Sequence, residues 1–318
     1  MPLDPDIRAY LDGLATQKAP KLWEAPLESL RANRREQQAR VERVPVGQVE
    51  DRVLEGPGGP LPIRVYRPAT GGAPAPLLVY LHGGGFVFGD LETSDPVSRQ
   101  LCRETQMVVV SVEYRLAPEH RYPAAVEDAL YASRWCQEHA ADIGAQADHM
   151  VIAGDSAGGN LAISAALDLS ADSAATRPSG LALVYPTTDM RQLAYPSRLE
   201  YAEGYGLSAA DMDWFYEQYL PDASRMEEPW ASPLLSPELG LLPPTLVLTA
   251  EFDPLRGEAE ALAERMREAG VDVTYGCMQG TNHGVMTNTE GFPAGARFRA
   301  RVVEWIRDTV SAAGAGSA

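Results

Sequence analysis

Five residues, Gly154-Asp155-Ser156-Ala157-Gly158, constrain this chain more than any other stretch. They read G-x-S-x-G. The apolar run Met150-Val151-Ile152-Ala153 leads straight into them, and Gly159-Asn160-Leu161-Ala162-Ile163-Ser164-Ala165-Ala166-Leu167 follows as a good helix former. A strand that turns sharply into a helix at a serine holds that serine in a strained backbone conformation. Glycines two before and two after it let strand and helix pass closely. The hydroxyl then projects at the C-terminal end of a sheet, beside a helix N-terminus that favours developing negative charge. On their own the five residues also describe an ordinary glycine-rich turn before a helix. Three further features bear on the choice.

The first lies upstream. Pro76-Leu77-Leu78-Val79-Tyr80-Leu81 reads as a buried strand and runs into His82-Gly83-Gly84-Gly85-Phe86. Successive glycines can aim their amide N–H groups at one point, as acyl transfer requires, because charge collects on the carbonyl oxygen of a tetrahedral intermediate. HGGG-type loops, with the amide after the nucleophile, form the oxyanion hole of lipases and esterases. The donors here are Gly84, Gly85 and Ala157. A phosphate-binding loop would continue with Gly-Lys-Ser/Thr, whereas Phe86-Val87-Phe88 is apolar.

The second feature is the placement of five histidines, His82, His120, His139, His149 and His283. A serine hydroxyl needs a base beside it. In hydrolases of this strand–turn–helix type the chain order is serine, acid, histidine, and only His283 follows Ser156. It sits in the loop Gly280-Thr281-Asn282-His283-Gly284, after an expected strand over Val271–Tyr275. His82 reads as a structural residue of the glycine loop, and the other three as loop or helix-end residues.

The third is the acid. The expected strand over Pro244–Ala250 ends in Glu251-Phe252-Asp253-Pro254-Leu255-Arg256. Glu251, Asp253 and Glu258 compete to hold the imidazole and stabilise the imidazolium. Asp253 is preferred because Pro254 fixes a turn directly after it. Glu251 is the runner-up, and Glu258 fits the first turn of the next helix.

At this point the chain resembles the hormone-sensitive-lipase-like group of α/β-hydrolases, which includes many bacterial carboxylesterases. The matching segments are His82–Phe86, Tyr114-Arg115-Leu116-Ala117-Pro118-Glu119-His120, Gly154–Asn160, Asp253–Arg256 and His283-Gly284. The resemblance implies Ser156 as nucleophile, Asp253 as acid, His283 as base, and Gly84, Gly85 and Ala157 as oxyanion donors. It also implies that dimers are common, so a homodimer is among its expectations. Two positions depart from the group's pattern. Gly257 stands where an acidic residue is frequent, and Val285 where phenylalanine is frequent. Both leave open how the acid loop is braced and how the wall near the base is shaped.

Composition fits a water-soluble enzyme of one domain. The chain has 318 residues, 45% of them hydrophobic and 22% charged. Lys plus Arg number 27 against 44 Asp plus Glu, a net charge of −17. So acidic a chain argues against nucleic acid or an anionic membrane as partner. Met1-Pro2-Leu3-Asp4-Pro5-Asp6 has no signal-peptide character, and no apolar run approaches membrane-spanning length. Cys102, Cys136 and Cys277 are widely spaced and suggest reduced cytoplasmic thiols, with neither a disulfide framework nor a metal cluster.

Along the chain, Ile7–Arg40 reads as helical and Val41–Pro68 as two antiparallel strands joined at Gly56–Pro60. Ala69–Ala75 reads as a linker. Strands at Met107–Glu113 and Leu181–Pro186 and a helix over Pro123–His139 continue an alternation that implies a mostly parallel sheet flanked by helices, the α/β-hydrolase class. The last helix is expected around Phe298–Val310, followed by a disordered small-residue tail, Ser311–Ala318. The core is therefore read as residues 41–189 and 238–318. A helical cap is drawn from residues 1–40 and from an aromatic-rich insertion at 190–237. One of Trp214, Phe215 and Tyr219 is expected to touch substrate.

These residues imply acyl transfer to water from short- to medium-chain carboxylic esters, through an acyl-serine and with no metal or organic cofactor. An amidase, peptidase or lactonase would use the same groups. A non-catalytic binding protein on the same fold is the remaining alternative, and the intact Ser156, Asp253 and His283 argue against it.

Overall fold

Along Ala75–Leu81 both faces of the strand are apolar and buried. Leu77, Val79 and Leu81 belong to one buried cluster, Leu78 and Tyr80 to another. A strand apolar on both sides must lie between two layers. The computed structural model, which describes residues 2–16, 20–70, 74–287 and 292–316, shows those layers. The elements in chain order are α1 (Pro5–Thr16), α2 (Leu27–Ala39), β1 (Gln48–Gly56), β2 (Gly59–Arg67), β3 (Ala75–Leu81), α3 (Leu91–Thr105), β4 (Val108–Val112), α4 (Ala124–Glu138), β5 (Ala145–Asp155) and α5 (Ala157–Ala171). They continue with β6 (Gly180–Val184), α6 (Pro196–Glu200), α7 (Ala209–Tyr219), β7 (Thr245–Phe252), α8 (Arg256–Glu268), β8 (Val273–Asn282) and α9 (Pro293–Gly316).

The strands form one sheet in the order β1-β2-β4-β3-β5-β6-β7-β8. The β1–β2 hairpin is antiparallel and joins β4 antiparallel; every pairing from β4 through β8 is parallel. This is an α/β-hydrolase fold. One core cluster joins the sheet to α4, α5 and α8 through residues such as Ala129, Leu161 and Leu262. The other joins the opposite face to α1, α3 and α9 through Ile7, Leu101 and Phe298. Among the described residues no helix is long and apolar enough to cross a membrane.

Several sequence expectations shift. The N-terminal helical stretch divides into α1, a short 3-10 turn at Leu22–Glu24 and α2, because Pro20 and Pro26 cannot continue a helix. Strand β8 runs to Asn282 rather than ending at Tyr275. Its ladder with β7 carries on through the Leu248–Gly276 and Thr249–Cys277 pairs, so Cys277 lies mid-strand and Gly276 does not break it. His149 lies within β5, not in a loop. The tail expected to be disordered continues α9 as far as Gly316, consistent with the helix propensity of Ala312 and Ala313. Residues 317 and 318 lie outside the described residues.

Helix α2 is fastened to the core by Arg31. Its Nε donates to the Val87 carbonyl at 3.0 Å and Nη2 to the Ala117 carbonyl at 2.9 Å. Its two terminal nitrogens hold Glu119 at 2.7 and 2.9 Å. The fork thus bridges the glycine loop and the segment after β4, which are themselves joined by Ala117 N–H donating to Phe86 O at 2.9 Å. Arg31→Ala would strand two partly buried carbonyls, a cost of about 1–3 kcal/mol. The expected outcome is a lower unfolding free energy together with faster amide hydrogen exchange across residues 27–39, read by mass spectrometry.

Candidate active site

Ser156 stands between the end of β5 and the start of α5 with φ 53° and ψ −119°. That backbone region is costly for a residue with a side chain, about 1–3 kcal/mol, and persists only where the surroundings hold it. Here they do. Ser156 N–H donates to Val184 O at 2.9 Å, and Ser156 O accepts from Gly159 at 3.0 Å and Thr187 at 3.1 Å. Gly158 lies so close to the backbone at Leu81 and His82 that a Cβ there would collide with it. The end of β3 therefore abuts the first turn of α5.

His283, just beyond β8, places Nε2 3.0 Å from Ser156 Oγ. Its Nδ1 lies 2.8 Å from Asp253 Oδ2. Asp253 is fully buried, and its Oδ1 accepts from Leu255 N–H at 2.9 Å, a turn that fixes the carboxylate. The imidazole rests on the Tyr185 ring, with centroids 4.7 Å apart. The serine, acid and histidine singled out in the sequence are thus brought into one hydrogen-bonded line. The rival acids lie elsewhere. Glu251 Oε2 accepts from Gly280 N–H at 2.6 Å. Glu258, in the first turn of α8, accepts from Thr188 and Asp189.

The glycine loop turns with positive φ at Gly84 (123°), Gly85 (62°) and Phe86 (62°). Gly83 N–H donates to Asp155 Oδ1 at 2.8 Å. Among the described residues the amides of Gly84, Gly85 and Ala157 donate to no protein acceptor. Asp155 also accepts from Tyr80 OH at 2.6 Å, and burial pushes its carboxyl above the usual aspartate range against the pull of these two bonds. His82 is buried, stacked on Tyr114 with centroids 4.2 Å apart, and its Nδ1 lies 2.8 Å from Gly83 O. Burial lowers its pKa, which favours a neutral structural imidazole. Of the three aromatics in the insertion, the Phe215 ring covers Gly85 and Trp214 stacks beside Phe88. Tyr219 is fully buried against Phe86, behind the loop.

Both departures from the group's pattern have a structural reading. Ser197, in α6 of the insertion, accepts from Gly257 N–H at 2.9 Å and donates to Pro254 O at 3.0 Å. One hydroxyl thus staples the acid loop on both sides. A Cβ at Gly257 would sit 3.0 Å from Ser197 Oγ and 3.1 Å from Tyr195 Cβ, so the small residue lets that staple approach. Val285 is buried in the cluster shared with α1 and α9. Ser197, Asp155 and Glu258 were not legible as supports. Their partners lie 57, 72 and 70 residues away, and only the unusual Gly257 marked the acid loop as differently braced.

Two predictions follow from this geometry. Ser197→Ala leaves a buried carbonyl and a partly buried N–H without their partner, so stability falls by about 1–3 kcal/mol. Turnover falls as well, with KM little changed, in steady-state kinetics. For Glu258, burial pushes the carboxyl up from 4.5 to about 8. Both backbone donors reach the same oxygen, Oε1, which leaves the other to carry a proton. The folded state therefore binds that proton more tightly than the unfolded chain. Its stabilising effect is full at low pH and is lost as pH rises from about 4.5 towards about 8. Denaturant titrations of Glu258→Gln across that window should show a flatter dependence of stability on pH than the parent.

Comparison with known proteins shows the family and the fold. Residues 78–287, more than half of the chain, match a family model described as alpha/beta hydrolase fold. The chain is similar to a carboxylic ester hydrolase of Mycobacterium tuberculosis, 43% identical over 75% of this chain and 64% of that one. It is also similar to an ethyl acetate hydrolase of Pseudomonas putida, 35% identical over 90% and 92% of the two chains. Among solved structures, the hyperthermophilic esterase of Pyrobaculum calidifontis superposes with a TM-score of 0.90 at 36% identity, over 97% of this chain and 99% of that one. The chain belongs to the hormone-sensitive-lipase-like family of the alpha/beta hydrolases and is a carboxylic ester hydrolase.

Proposed function

We propose that Ser156 is the nucleophile, His283 the general base, Asp253 the acid that orients it, and the amides of Gly84, Gly85 and Ala157 the oxyanion donors. The substrates are short- to medium-chain carboxylic esters. The observation that carries this reading is the unbroken line from Asp253 Oδ2 through His283 to Ser156 Oγ, with steps of 2.8 and 3.0 Å. His283 takes the serine proton as Oγ attacks the ester carbonyl, and Asp253 stabilises the imidazolium. Charge on the carbonyl oxygen falls to amides that have no other protein acceptor among the described residues. The imidazolium then protonates the leaving alcohol. A water activated by the same base cleaves the acyl-serine.

Residues 1–40 and 190–237 act in this reading as a cap over the site. Arg31 ties the first to the glycine loop, and Phe215 brings the second onto Gly85. The aromatic wall of Phe88, Trp214 and Phe215 suits a short acyl or aryl group. Relatives named ethyl acetate hydrolase and arylesterase are consistent with that size. Two of the three free cysteines are buried, which suits a reducing cytoplasm.

The test is turnover of p-nitrophenyl esters from acetate to octanoate, with matched amides and lactones alongside. The parent should favour the short esters over the amides. Ser156→Ala, Asp253→Asn and His283→Ala should each lower kcat by about 10⁴- to 10⁶-fold. Retained turnover in Ser156→Ala would refute the assignment of the nucleophile.

A further inference from the structure

The inward face of α2 carries Leu27, Leu30, Arg31 and Arg34, spaced i, i+3, i+4 and i+7. Both leucines pack on the core, and the guanidinium of Arg31 is fully engaged. Arg34, one turn further on, makes no hydrogen bond or ion pair among the described residues. Its guanidinium lies over the Phe88 ring, 4.1 Å from the centroid. The residue is exposed, with its guanidinium laid against the aromatic wall that Phe88 shares with Trp214 and Phe215. Desolvation pulls its pKa below the ordinary arginine value, and Asp211 and Tyr10 oppose that pull. Arginine nevertheless stays charged, so a cation that solvent can reach stands at this wall without a direct counter-ion among the described residues.

The position of that cation relates it to the reacting atoms. Phe88 meets Phe215 edge to face at 5.7 Å, and the Phe215 ring covers Gly85. This succession of rings leads from the guanidinium to the proposed oxyanion amide of Gly85. Asp211, on α7, sets the size of charge that fits. Its Oδ2 is tied to Ser208 at 2.7 Å, so it stays beside Arg34 and repels a doubly charged group more than a singly charged one. A planar, singly charged carboxylate matches the planar fork of the guanidinium.

We propose that Arg34 binds a carboxylate carried by the substrate, so that the site accepts esters with a free carboxyl group at their far end, such as monoesters of dicarboxylic acids. This rests on the reading of Ser156 as the esterolytic nucleophile. The experiment compares monoethyl and diethyl esters of the straight-chain diacids from succinate to sebacate, by pH-stat, for the parent, Arg34→Gln and Arg34→Lys. The parent should hydrolyse both series. Arg34→Gln should lower kcat/KM for the best monoester by about 10- to 100-fold, chiefly through KM, and change the diesters by less than about threefold. Arg34→Lys should fall between them, and added salt should erode the parent's advantage on monoesters. The proposal is overturned if Arg34→Gln leaves the ratio of monoester to diester turnover unchanged, or if the parent hydrolyses diesters but no monoester. Should Arg34→Gln lose its fold by circular dichroism, the same ratio in Arg34→Lys decides. A parent inert on both series instead counts against the esterolytic reading on which the proposal rests.

Discussion

The backbone at Ser156 occupies a conformation that an isolated chain would leave, and much of the surrounding structure bears on keeping it there. Its carbonyl accepts from Gly159 and Thr187 while its N–H donates to Val184, so the turn is held from the helix side and from the neighbouring strand together. Thr187 is steadied in turn by what adjoins it. Glu258 accepts from Thr188 at 2.6 Å, and Asn160 donates its amide to Thr187 O at 3.2 Å and to Ala231 O at 2.9 Å. Through those bonds the helix that bears the acid loop, the helix after the serine and the insertion all act on one residue. A serine held this way needs no rearrangement to present its hydroxyl, which is the condition for electrostatic preorganisation to lower a barrier.

The same economy explains why the glycine loop is rigid although it contains three glycines in a row. Asp155 spans from the elbow to Gly83, so the serine and the loop that would hold the oxyanion share one buried carboxyl. Burial disfavours the charge of that carboxyl, and the Tyr80 hydroxyl and the Gly83 amide offset part of the cost. From the other side Arg31 holds Val87, and Phe86 and Phe88 stack against Tyr219 and Trp214 of α7. Entropy lost in ordering glycine is large. Here it is met by contacts from four separate segments of chain rather than by the loop itself.

What could be read from the sequence and what could not divides along a physical line. Ser156 and the glycine loop announce themselves because their requirements are local: a strand, a turn, small neighbours and a helix within a dozen residues. Chain order leaves His283 as the single histidine after Ser156 and Pro254 stiffens the mount of Asp253, and the structure brings both side chains into line with Ser156. The sheet followed from apolar runs that leave both faces buried. The supports are different in kind. Ser197, Glu258 and Arg31 each act on backbone groups more than fifty residues away, and nothing in their immediate neighbours distinguishes them from ordinary helix residues. Arg34 is the extreme case, since on sequence alone the run Arg31-Ala32-Asn33-Arg34-Arg35 is a solvated charged face. Only the docking of α2 turns two of its arginines inward. Element ends failed for a related reason: the β7–β8 ladder carries β8 past a glycine, and α9 extends through alanines that could as easily have frayed.

Arg31 and Arg34 sit one turn apart on a single helix face, and this joins two properties that are usually discussed separately. The first arginine sets how firmly the glycine loop is held, and the second faces the aromatic wall beside that loop. A substrate group that engaged Arg34 would therefore rest on the helix that Arg31 fastens to the glycine loop. The link also constrains variation. Residues on α7 meet the loop as well, since Phe215 covers Gly85 and Tyr219 stacks on Phe86, so changes on either element alter the aromatic wall and the loop together.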